Sequence, residues 1–93
     1  MTTVHVNLPV PLRKFARGVA QVSFQADTVL DALLQLNTLD PQMSERLLEA
    51  DHSEPKRYIN IYLDGKHIRQ TGGVHSPVSE QSRLEIMTAF AGG

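Results

Sequence analysis

The residues of this chain that are able to do chemistry are few, and what is missing narrows them first. The 93 residues include no cysteine, which excludes a cysteine nucleophile, a persulfide on this chain, a disulfide and a zinc–thiolate site. Four histidines, His5, His52, His67 and His75, stand without the i,i+4 spacing of a metal-binding helix, and each reads as a surface residue. Ser53, Ser76, Ser79 and Ser82 lack the strand–turn–helix context that exposes a nucleophilic serine. Gly72-Gly73 is no phosphate loop, because no helical periodicity follows it, and it reads as a turn requiring positive φ. What remains is the closing segment Ala89-Phe90-Ala91-Gly92-Gly93. Its final residue offers a carboxylate with no side chain around it. Taken alone, two such glycines read first as a fraying end or an expression remnant.

Composition removes other partners. Nine basic and ten acidic residues give a net charge of −1, so there is no long-range field for nucleic acid or an anionic membrane. Arg13, Lys14 and Arg17 form the one basic cluster and read as solvated surface. No segment approaches the roughly 20 apolar residues that a bilayer crossing requires, and the first ten residues lack a basic leader, so a cytoplasmic chain is expected. An apolar share of 41% is ordinary globular usage, and a single domain of this length buries roughly two thirds of the surface its unfolded chain exposes.

The elements that must position the closing segment follow from periodicity. Residues 3–8, TVHVNL, alternate with Val4, Val6 and Leu8 on one face, and Pro9 and Pro11 require that strand to end there or to lie at an edge. RKFARG reads as an exposed loop turning at Gly18, and VAQVSFQ as a second strand with Val22 and Phe24 inward. DTVLDALLQLNTL shifts to helical spacing, capped by Asp27 or Thr28; if Thr28 is the N-cap, Asp31 stands three residues on as a variant capping box. A short second helix is expected in PQMSERLLEA. YINIYLDG is the clearest strand, closed by an Asp64-Gly65 turn, and KHIRQ is expected to pair back with Ile68 inward. RLEIMTAF closes the order as a strand with Leu84 and Ile86 on one face and Glu85 and Met87 on the other. A hairpin, a helix and returning strands make an α+β layer with one sheet face under the helix. The other face would carry His5, Asn7, Asn60, Tyr62 and Met87, and is expected to stay wet and open to a partner.

This pattern resembles the ubiquitin-like β-grasp sulfur carriers, the group that includes the small subunit of molybdopterin synthase, the thiamine sulfur carrier and the carrier of thiocarboxylate-dependent cysteine synthesis. The resemblance covers nearly the full length: TVHVNLP, DTVLDALLQL, YINIYLDGKHIRQTGG and the closing AGG. The middle segment is most similar to the cysteine-synthesis carriers. Two positions depart from the pattern: Glu80-Gln81-Ser82 stands where the family has an Asp-Gly-Asp turn, and Thr88-Ala89 where a proline often precedes the tail. The resemblance implies a mixed sheet of four to five strands on one main helix, a β-grasp domain over residues 1–88 and a flexible Gly-Gly tail over residues 89–93.

It also implies a function. Gly93 would be the reacting residue, its carboxyl adenylated by an ATP-dependent E1-like partner and then converted to a thiocarboxylate, with Gly92 giving reach through a narrow channel. Ala91, Phe90 and Met87 are the tail and partner-binding candidates; for Phe90 and Met87, packing on the chain's own edge weighs about equally. The chain would be a carrier rather than an enzyme, holding no cofactor or metal, with ATP used by the partner. Its partners would be the activating enzyme, a biosynthetic enzyme that accepts the sulfur, and a metalloprotease that trims or releases the C-terminus, without nucleic acid or membrane. The destination of the sulfur stays open among cysteine-type, molybdopterin, thiamine and secondary-metabolite products. Two rivals stand beside this: a modifier joined to lysines through Gly93, and a β-grasp interaction module whose tail is idle.

Overall fold

The computed structural model describes residues 2–88. Along this span run β1 (Thr3–Asn7), α1 (Val10–Arg13), β2 (Gln21–Gln25), α2 (Val29–Gln35), α3 (Met43–Leu47), β3 (Ile59–Leu63), β4 (Lys66–His67) and β5 (Ser82–Thr88). The strands form one sheet in the order β2-β1-β5-β3-β4. Only the β1–β5 pairing is parallel; β1–β2, β3–β4 and β3–β5 are antiparallel, so the sheet is mixed. Alternation decides which face each strand buries: Val4 and Val6, Ile59, Ile61 and Leu63, and Leu84 and Ile86 all turn inward.

Helix α2 covers that face with Val29, Ala32 and Leu33, and Leu36 continues the stripe in a 3₁₀ turn over Leu36–Thr38. Its start is specified as the sequence suggests. Asp31 N–H donates to Thr28 Oγ1 at 3.1 Å, and Asp27 N–H donates to Asp31 Oδ2 at 3.1 Å, a capping box shifted back by one residue. Helix α3 is shorter than the 41–50 segment expected of it, because Leu48 is already extended at φ −118 and ψ 151. Asn37 ties α3 to the end of α2, accepting from Ser44 N–H and donating to Ser44 Oγ, each at 2.9 Å.

The stretch RKFARG is not a plain loop. Pro9 and Pro11 fit the first turn of a helix, where the missing N–H groups go unused, so α1 forms and a 3₁₀ turn over Lys14–Ala16 follows it. Leu12 and Ala16 are buried, and Phe15 packs on the core. Arg46 lies 3.6 Å and Lys14 5.2 Å from the centre of the Phe15 ring, so part of the basic cluster serves packing.

Two turns aim β5. Asp64 and Gly65 both take positive φ (51 and 89), the pattern of a two-residue hairpin between Leu63 and Lys66. Asp64 also accepts from Arg83 N–H at 2.9 Å and from Ser82 Oγ at 3.1 Å, tying the hairpin to the start of β5. Gln81, in the turn before β5, carries a side chain at φ 66. There Gln81 N–H donates to Thr3 C=O at 2.8 Å and Gln81 Oε1 accepts from His5 Nε2 at 2.5 Å, which holds a conformation glycine adopts more easily. Gly72 and Gly73 also have positive φ, as expected of a turn.

A Cβ on Gly65 would meet nothing within 4 Å, so Gly65→Ala isolates the conformational cost. It is expected to destabilise the chain by about 1 kcal/mol, a fall of roughly 4–8 °C in a thermal melt. A pH effect follows from Glu80, which accepts from Thr3 N–H at 3.1 Å. Hydrogen bonds from Thr3 hold this carboxyl below the ordinary value of 4.5. Its contribution is therefore present above pH 4.5 and is lost as acid carries the folded chain through the lowered value. In denaturant titrations from neutral to acid pH, Glu80→Gln should lose less stability below that point than the natural chain does.

Candidate functional site

Strand β5 is hydrogen-bonded along both edges, with Val4↔Ser82 through Asn7↔Glu85 on the β1 side and Leu63↔Leu84 through Ile59↔Thr88 on the β3 side. Because β1 and β5 run in the same direction, both leave the sheet at the same end. The chain after β1 turns there through Leu8–Pro11, beside the last residues of β5. An open groove of about 720 Å³ lies between them, lined by residues 7–11, Arg13, Ala20 and residues 85–88.

The groove carries the two most exposed large hydrophobic side chains among the described residues, Val10 at 70% and Met87 at 47%. Single exposed apolar residues are common, but two lining one groove form a patch of the type that partners cover. Arg13 spans the back of the loop, its Nε donating to Leu8 C=O at 3.0 Å. The one ion pair among the described residues is Arg46–Asp40 at 3.0 Å, so Arg13 and Glu85 keep free charge at the groove.

Of the sequence candidates, the structure places Met87 at this groove, exposed on the face away from α2. Phe90, Ala91, Gly92 and Gly93, and the expected tail over 89–93, lie outside the described residues. The wet sheet face proves less open than expected. His5 bonds Ser23 Oγ at 2.8 Å as well as Gln81. Arg69 N–H donates to His67 Nδ1 at 3.1 Å, so the proton sits on Nε2, which donates to Asn60 Oδ1 at 3.1 Å. Tyr62 meets the His67 ring edge-on at 5.2 Å. His5 thus braces Ser23 and Gln81, and Asn60 and Tyr62 brace His67, each half-buried like Asn7, while Arg83, Glu85 and Met87 stay exposed on that face. Sequence reasoning missed the Pro9–Pro11 wall, whose signal is the exposed apolar Val10 between two prolines.

Among the described residues no group of three or more His, Cys, Asp or Glu side chains is placed to hold a metal, and no helix is long and apolar enough to cross a membrane. The side chains of the groove offer grip rather than chemistry. The pattern common to the ThiS family matches residues 6–93, which includes the Gly-Gly pair. The chain belongs to the ThiS family. The sulfur carrier protein CysO of Mycobacterium tuberculosis is 32% identical over 93 residues, spanning 97% of this chain and 98% of that protein. A chain of the Amycolatopsis orientalis BexX/CysO complex matches with a TM-score of 0.87 at 29% identity, over 97% of this chain and 99% of that one. The small archaeal modifier protein 1 of Methanosarcina acetivorans matches with a TM-score of 0.80 at 26% identity, over 100% and 98%. The ThiS-family chain therefore has the ubiquitin-like β-grasp fold, with the expected sheet on one main helix.

The two sides of β5 should respond differently to substitution. Replacing Val10 and Met87 together by serine should shift stability by no more than about 1 kcal/mol, since both are open to solvent. Ile86→Ala, one residue away but only 2% exposed, should cost about 2–5 kcal/mol. Urea titration of the variants measures both.

Proposed function

We propose that this sulfur carrier holds sulfur as a thiocarboxylate on Gly93. The observation that carries this reading is the family match running through Gly93, together with 32% identity to a sulfur carrier along 97% of the chain. A carboxylate is a poor electrophile, so it must be activated first. One carboxylate oxygen attacks the α-phosphorus of ATP on an E1-like partner, pyrophosphate leaves, and an acyl adenylate remains. A sulfide-level donor attacks the acyl carbon and AMP departs with the bonding electrons, giving the thiocarboxylate. A biosynthetic enzyme then takes the sulfur from this nucleophile into its substrate, and hydrolysis returns the carboxylate.

In this scheme the chain is a cosubstrate. It binds no cofactor, ATP belongs to the activating enzyme, and orientation and water exclusion come from the partners. What the fold supplies is a recognisable body, with the Val10–Met87 groove at the root of the last five residues. Exposed apolar residues beside a reactive arm are where a partner would gain binding energy. The absence of cysteine fits the role, because no thiol on this chain would trap the activated acyl group as a thioester. A cytoplasmic location, where ATP and reduced sulfur meet, is part of the proposal, as is a metalloprotease that trims or releases the C-terminus. Conjugation to a lysine would use the same adenylate, but the identity to a sulfur carrier favours loading with sulfur.

The test uses ATP–pyrophosphate exchange with the cognate activating enzyme. Gly93→Val should abolish exchange while leaving the thermal midpoint within a few degrees, since a Cβ branch blocks the extended approach that glycine allows. Undiminished exchange by Gly93→Val would remove Gly93 from the reaction, and high-mass conjugates formed in place of a sulfur-loaded chain would favour the modifier.

A further inference from the structure

The two outer strands of the sheet are finished differently. Strand β4 is two residues long and runs directly into a 3₁₀ turn over Ile68–Gln70, so it offers almost no free edge. Strand β2, QVSFQ, is five residues long and pairs with β1 one-to-one, without a bulge. It has no proline and no charge. Such edges are usually blunted by a lysine, a proline or a bulge, because their open groups template pairing with another chain.

The flanking hydrogen bonds identify those open groups. Ala26 N–H donates to Thr2 C=O and Leu8 N–H donates to Ala20 C=O, each at 2.8 Å. Antiparallel ladders alternate, so Val22 and Phe24 bond inward to Val6 and Val4, and the N–H and C=O groups of Gln21, Ser23 and Gln25 point away from the sheet. One of these is covered, the Gln25 C=O, which accepts from Gln35 Nε2 at 2.5 Å. A carbonyl keeps a second lone pair for another donor. On the helix side, Val22 and Phe24, together with Leu30 and Leu34 of α2, are only half-buried.

We infer that β2 pairs antiparallel with β2 of a second copy, about a two-fold axis through Ser23. The strand is nearly palindromic, and this register is self-complementary. Ser23 exchanges both backbone bonds with the second copy's Ser23, Gln21 stands opposite Gln25, and each Val22 meets a Phe24 over the half-buried apolar strip. No like charges face each other along the five residues, so nothing in the edge opposes this register. The contact is small and the dimer correspondingly weak.

Sedimentation velocity and amide exchange by NMR test this on the full chain over a series from about 10 µM to about 1 mM, the range in which an interface below standard size associates. The mass should rise from 10.3 kDa toward twice that value, and the Ser23 amide should become protected as the concentration rises. The variants Gln21→Lys/Gln25→Lys and Gln21→Glu/Gln25→Glu place like charges opposite each other and should each stay monomeric. Mixed one-to-one they should associate at least tenfold more tightly than either alone, and circular dichroism checks that each variant is folded. A monomer at every concentration would overturn the proposal, as would a dimer indifferent to the charge pairs. Protection of Ser23 only on adding the activating enzyme would assign the edge to a partner's strand instead.

Discussion

Everything that matters in this chain depends on β5 being paired along both of its edges. A strand between β1 and β3 has its backbone groups satisfied on either side, and Leu84 and Ile86 are buried under α2 at 0% and 2% exposure. Ser82–Glu85 are thus held on both sides, and β3 alone carries the pairing on to the last described residue, Thr88, still in register with Ile59. The group proposed to react, on Gly93, follows that origin, Thr88, by five residues in the sequence. The parallel pairing with β1 adds the second consequence, since it brings the Pro9–Pro11 turn beside Met87 and so creates a groove at that origin.

Much of this could be read from local pattern. Val4 and Val6, and Ile59, Ile61 and Leu63, alternate cleanly, so the strands and their buried faces were legible; the Thr28–Asp31 cap marked the start of α2. What stayed hidden was whatever has no period. A four-residue helix that starts after Pro9 and contains Pro11 makes about one turn, too short to show helical spacing, so it left no periodic signal and the RKFARG stretch that follows read as loop. The insertion of β5 between β1 and β3 joins residues almost eighty positions apart, as in Gln81 bonding Thr3 and His5, and no window of sequence contains both partners. The groove was invisible for the same reason. The wet face looked freer than it is because hydrogen bonds such as His67 to Asn60 are properties of the register, not of composition.

The two glycine pairs show how context separates identical dipeptides. Gly72-Gly73 lies in a turn where both residues take positive φ and where the buried Ser76 hydroxyl donates to Gly73 C=O at 2.6 Å, so its use is structural. Gly92-Gly93 follows the central strand and falls within the segment that matches the ThiS family. The chemistry proposed for it belongs to the backbone carboxyl, for which no side chain is required. That is consistent with a body whose polar side chains are spent on capping and bracing: among the described residues every buried side-chain nitrogen or oxygen has a hydrogen-bond partner.

The central claim is that sulfur becomes covalently attached at the Gly93 carboxyl. Intact-mass measurement of the chain after incubation with its activating enzyme, ATP and sulfide, followed by fragmentation of the C-terminal peptide, tests it directly. The account predicts a gain of about 16 Da, the replacement of one oxygen by sulfur, localised to Gly93. An unchanged mass under conditions in which the enzyme consumes ATP with this chain, or a gain localised elsewhere, would contradict it.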